Sequence, residues 1–117
     1  MRWRRPDHKP RYGDYVSLFF EDDRIGCGWR RVIVISAGHK NIRIIEPTTL
    51  RVRHMTPGFY RGLAPRRIEH PDYDGIAARL RGKAELYSHF ADVPVYFGHI
   101  RDALTAIRRR QEKEARS

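Results

Sequence analysis

At 117 residues, with 40% hydrophobic content and thirteen aromatics, the chain suits one domain with a real core and is too apolar to be wholly disordered. No apolar run approaches the roughly 18 to 20 residues of a membrane span, no apolar segment behind Met-Arg-Trp-Arg-Arg-Pro would serve as a secretion signal, and the lone Cys27 excludes an internal disulfide, so a soluble, cytoplasmic protein is expected. The net charge is +10, and 20 of the 24 cations are arginine, whose planar fork binds phosphate and stacks on bases; this directs attention to an anionic partner.

Residues 1–12 read as a basic arm. They carry Arg2, Arg4, Arg5, Lys9 and Arg11 with Trp3, and Pro6 and Pro10 block regular structure. Such an arm either neutralises phosphates while Trp3 stacks on a base, or is simply a disordered start. Gly13-Asp14 then opens a strand over residues 15–20, apolar on both faces. The polar loop that follows holds Glu21, Asp22 and Asp23 but lacks the oxygen spacing of a calcium loop, and no sequence-adjacent His supports Cys27 as a nucleophile.

Residues 32–35 are uninterrupted β-branched residues, the pattern of a central strand covered on both sides. Residues 37–41 form a hairpin loop that places His39 and Lys40 in solvent. The next strand, residues 42–46, puts Arg43 and Ile45 on one face, and Pro47 ends it. In a fourth strand Leu50 and Val52 face the core, which turns Thr49, Arg51 and Arg53 outward, so Arg43, Arg51 and Arg53 are expected to line one surface. Thr56-Pro57-Gly58 reads as a turn, and the Pro and Gly residues after it predict an irregular closure with a short final strand near residues 66–69.

From Tyr73 the period becomes helical. Tyr73, Ile76, Ala77, Leu80, Ala84, Tyr87 and Phe90 form one stripe; Val93, Tyr96, Phe97, Ile100, Leu104 and Ile107 form a second, with Asp92 as its cap. Beyond Ile107 the sequence is entirely polar and is expected to fray in solvent. The charge is uneven: residues 1–70 hold 15 cations and 7 anions, residues 71–117 hold 9 and 7.

The Gly13-Asp14-Tyr15-Val16 start, the return through Gly26 and Gly28 to Val32, and the strand at residues 42–45 resemble the small five-stranded barrels of the SH3-like group, including the KOW-type modules of transcription and translation proteins. The likeness covers about residues 12–70, and the acidic connection at Glu21, Asp22 and Asp23 is longer than that of a KOW element. The resemblance implies an SH3-like five-stranded antiparallel barrel over residues 13–70; with the helical stripes, which predict a C-terminal αα-hairpin with a polar tail over residues 71–117, the fold expected is α+β. The hairpin's stripes need a docking surface, so Tyr15, Phe19 and Ile45 are expected beneath it.

The function expected is a non-catalytic nucleic-acid-binding module for DNA or RNA. Its phosphate contacts are Arg43, Arg51, Arg53, His39 and Lys40, extended by Arg2, Arg4 and Arg5, with Trp3 or Tyr15 to stack. The alternative is a small basic assembly adaptor, of the kind found in phages or mobile elements, that docks an acidic protein. No cofactor, metal, membrane or small-molecule substrate is expected, because the six histidines are scattered and no nucleophile or phosphate loop accompanies them. Pairs such as His99 with Asp102 are too common on helices to indicate catalysis.

Overall fold

In the computed structural model, which describes residues 9–20, 28–87 and 94–116, the β-branched and aromatic runs become five strands. They are β1 (Tyr15–Phe20), β2 (Gly28–Ala37), β3 (Ile42–Ile45), β4 (Val52–Met55) and β5 (Arg66–Arg67). Arg2, Trp3, Arg4 and Arg5 of the arm, the acidic loop with Cys27, and the expected cap Asp92 lie outside the described residues. Three helices complete the fold: α1 (Pro57–Gly62), α2 (Tyr73–Tyr87) and α3 (Pro94–Ala115).

The strands form one antiparallel sheet in the order β4-β3-β2-β1-β5. Among the described residues the edges β4 and β5 do not pair with each other, so the expected barrel is observed as an open sheet. The two residues of β5 are already committed to Val16 and Ser17 of β1. Thr56-Pro57-Gly58, expected as a turn before an irregular segment, instead starts a helix. The Thr56 hydroxyl accepts the Phe59 N–H at 3.1 Å, and Pro57 sits in the first turn, where its missing N–H costs nothing.

Because the central strands are apolar on both faces, the sheet carries a core on each side. Val16, Leu18, Phe20, Val32, Val34, Ile42, Ile44 and Met55 close on Tyr60 and Leu63 at α1. On the opposite face Ile33, Ile35 and Ile45 meet Tyr73, Ile76, Ala77 and Leu80 of α2 and Ile100, Ala103, Ala106 and Ile107 of α3. Ile35 keeps Ile33's face by alternation, and a register shift between Val34 and Ser36 sets Ser36 opposite Arg43 as β2 runs past β3. Ile45 is buried there and Tyr15 packs against its margin, as the stripes require.

Gly13 sets how closely α3 approaches. Its φ is +87°, and a Cβ built there would lie 2.7 Å from the Ala106 carbonyl oxygen, so any side chain would force α3 off the sheet. Beside it, Asp14 is 3% exposed and joins three parts of the chain. It accepts the Arg11 N–H at 3.0 Å and the Arg67 Nε–H at 3.1 Å, and lies 3.5 Å from the Arg110 guanidinium. The last of these contacts explains why the polar segment after Ile107, expected to fray, stays helical to Ala115. Arg110 is held by Asp14 from the sheet and by Glu114 one turn on, at 3.5 Å.

Burial pushes the Tyr60 phenol well above its ordinary value of 10.0, with the Asp14 charge adding to the effect. The fold therefore favours neutral Tyr60. Its contribution to stability is complete below pH 10.0, the unfolded value, and is lost progressively as pH rises beyond it. In an alkaline titration followed by tyrosinate absorbance, the step removed by Tyr60→Phe is expected to coincide with unfolding; a step at the ordinary value in the folded protein would contradict this burial.

Candidate nucleic-acid interface

A strand face can bind a polyanion only where side chains of one register row reach solvent together, and register separates the arginines expected to act as a group. Arg43 pairs with His54 across β3 and β4, whereas Arg53 pairs with Ile44, so Arg43 and Arg53 stand on opposite faces. Alternation within each strand is compatible with one shared surface, but only the pairing decides which face each residue takes. Arg43 lies on the helix side and donates to Asp102 of α3 at 3.3 Å. The carboxylate that stands one helical turn from His99 is thereby engaged. Arg53 lies on the other face, its guanidinium 4.6 Å from the Phe20 ring centroid. Arg51 is exposed just before β4. His39 and Lys40 are exposed in the β2–β3 turn, and His39 shares a shallow depression with Lys9 and Arg61. The five expected contacts among the described residues, His39, Lys40, Arg43, Arg51 and Arg53, therefore do not form one patch.

The structure assembles a different group. In the antiparallel register Ser17 of β1 lies between Arg31 of β2 and Arg66 of β5, and the adjoining pair on the same face is Phe19 with Trp29. Helices α2 and α3 cover the end of this face that holds Ile33 and Ile35, and Trp29 at the other end remains 48% exposed. The Phe19 and Trp29 rings are 5.2 Å apart at 58°, a tilted aromatic pair, and the Arg66 guanidinium lies 5.0 Å from the Trp29 ring centroid. Phe19, expected under the hairpin, thus stacks on Trp29 beyond its reach. Arg31 and Arg66 are exposed.

The charge distribution favours the same end of the molecule. Arg30 pairs with buried Glu46, Arg43 with Asp102, and Arg67 and Arg110 with Asp14, so carboxylates neutralise cations at the other face and along the helix contact. Among the described residues, Arg31 and Arg66 meet no such carboxylate. Sequence reasoning missed this group because Trp29 and Arg31 had to be set against Phe19 and Ser17 across the long acidic connection. The available signal was the alternation Trp29-Arg30-Arg31-Val32, which places the indole and one guanidinium on the face opposite Val32.

Phe19 also borders a half-open cleft of about 880 Å³ between β4 and α1, lined by Phe20, Arg53, His54, Met55, Phe59 and Leu63 with Gly58 and Gly62. Phe59 is 59% exposed at its edge. The described residues contain no group of His, Cys, Asp and Glu arranged to hold a metal ion, and no described helix is long and apolar enough to cross a membrane. Comparison with protein-family models, with curated proteins and with solved structures found no match.

Proposed function

We propose that the protein is a non-catalytic nucleic-acid-binding module on an SH3-like sheet, whose interface is the Trp29, Phe19, Arg31 and Arg66 patch. The strand order, with a short helix between β4 and β5, supports the SH3-like reading. The observation that carries the function is the exposed Trp29 ring between Phe19 and the Arg66 guanidinium, at the end of the sheet that the hairpin leaves open. Aromatic faces accept bases of any sequence, and adjacent guanidinium groups neutralise phosphates and release counterions. Arg2, Arg4 and Arg5 of the arm, together with His39, Lys40 and Arg51, add phosphate contacts outside this centre, and Trp3 adds a stacking ring.

The test is a gel-shift series with duplex DNA, single strands and structured RNA over increasing salt. Affinity is expected to fall steeply from low to moderate salt, and Arg31→Ala with Arg66→Ala to reduce the salt slope by about one for each phosphate no longer neutralised. Arg43→Ala, whose guanidinium is already held by Asp102, is expected to leave the slope nearly unchanged. Binding that ignores salt, or a slope insensitive to the double substitution, contradicts the reading.

A second reading, docking of an acidic protein segment, is favoured by the groove between α2 and α3. There Arg81, Arg101 and Arg108 flank Ala77, Ala84 and Leu104. A stoichiometric protein complex that survives moderate salt, with no nucleic-acid shift, selects this reading over the first.

A further inference from the structure

We infer that the open edge of β4 takes an extended segment of another protein as an added strand, with apolar side chains at alternate positions and acidic ones between them. This site is separate from the Trp29 patch and goes beyond the nucleic-acid reading.

Hydrogen-bond parity determines what β4 presents. The Glu46 N–H donates to the Arg51 carbonyl at 3.0 Å, so these opposed residues form a bonded pair, and alternation along the ladder makes Ile44 with Arg53 and Ile42 with Met55 the next ones. The intervening pairs, Ile45 with Val52 and Arg43 with His54, are then of the non-bonded kind, and the N–H and C=O of Val52 and His54 point away from β3. The next ladder agrees: the Val34 N–H donates to the Asp14 carbonyl, which turns Ile33 toward its β3 partner Ile45. At the other side of the sheet the outward groups of β1 are engaged, the Phe19 N–H donating to the Leu63 carbonyl and the Ile68 N–H to the Tyr15 carbonyl. Among the described residues β4 is the last strand on its side. Donors and acceptors at strand spacing are matched by another extended backbone.

The cleft beside α1 runs along this edge. Arg53, His54 and Met55 all line it although their side chains alternate between faces, as a cavity at the strand's flank requires. Phe20, Met55 and Leu63 of the inner core form its floor, and Phe59 stands 59% exposed at its rim. An added strand directs every second side chain over these apolar groups and the others outward. Charge decides between occupants. The chain carries +10, Arg51 is exposed at the start of β4, and the described lining holds no carboxylate, so acidic residues fit the intervening positions. A second copy paired antiparallel through Val52 and His54 would set the two Arg53 residues directly opposite each other.

The experiment selects random dodecapeptides displayed on phage against the intact chain and synthesises the enriched sequence. Apolar and acidic residues are expected to alternate in it. By NMR, the peptide is expected to slow amide exchange at Val52 and His54, while Arg53 and Met55, already bonded to β3, keep their rates. N-methylating peptide amides of one parity is expected to abolish binding, and N-methylating the other parity to leave it. Phe59→Ala is expected to lower affinity about tenfold, the scale of one aromatic anchor, at an unchanged melting temperature. No enriched sequence, equal effects of the two methylation parities, or unaltered exchange at Val52 and His54 overturns the inference. Protection of the same two amides by self-association of the chain, or by an oligonucleotide in place of the peptide, reassigns the edge and also overturns it.

Discussion

Asp14→Ala is expected to destabilise the fold by about 3 kcal/mol, the lower end of the range for removing one partner of a buried ion pair. The carboxylate, 2% exposed, is shared by Arg67 of β5 and Arg110 of α3, and it caps the turn at Arg11. Its removal takes the buried carboxylate from both guanidinium groups, leaving Arg67 its bond to the Lys9 carbonyl at 2.8 Å and Arg110 its contact with Glu114 at 3.5 Å. These remaining partners, with 29% and 16% of the two side chains exposed to water, keep the loss from the upper end of the range. Asp14→Asn keeps an acceptor for the Arg11 N–H and is expected to cost less. Urea denaturation distinguishes the two substitutions; if Asp14→Ala shifts the midpoint no more than a surface substitution, the site does not hold the hairpin on the sheet.

Leu80→Ala and Ile100→Ala are each expected to cost about 2 to 5 kcal/mol, through lost transfer free energy and the cavity left behind. Leu80 is fully buried and Ile100 2% exposed, and both lie between the two helices and the Ile33, Ile35 and Ile45 face. Their effects are not expected to add fully, since they share one cluster. Thermal or urea unfolding of each variant checks this. An unchanged midpoint for either would mean that the hairpin is not part of the same cooperative unit as the sheet.

Much of this architecture is legible in the sequence because periodicity reports local geometry. Tyr73, Ile76, Ala77 and Leu80 recur every three or four residues, and all four are buried. Residues 32–35 carry no polar side chain, and Val32, Ile33, Val34 and Ile35 indeed divide between two cores. What periodicity omits is pairing. Arg43 and Arg53 each alternate correctly within their own strands, yet the offset that sets Arg43 against His54 sends them to opposite faces. Leu50 adds to the difficulty: it is buried on the helix side but lies in a turn at φ +61°, outside the strand that alternation assigns it to.

The polar end of α3 is illegible for a related reason. Arg110 has no apolar neighbour in sequence to mark it as packed, and its partner Asp14 lies nearly the whole chain away. The same holds for the interface. Trp29 and Phe19 are separated by the acidic connection, and Arg66 comes after α1, so their cluster exists only through the β1–β2 and β1–β5 registers. The composition points to an anionic partner, while antiparallel pairing selects which arginines stand beside an aromatic ring.

Where nucleic acid lies on the molecule is the most direct question, and ultraviolet cross-linking of the intact chain to an oligonucleotide, followed by mass mapping of the adducts, answers it. Adducts are expected at Trp29 and Phe19. Adducts confined to α2 and α3, around Arg81, Arg101 and Arg108, would place binding on the hairpin and contradict an interface built on the open end of the sheet.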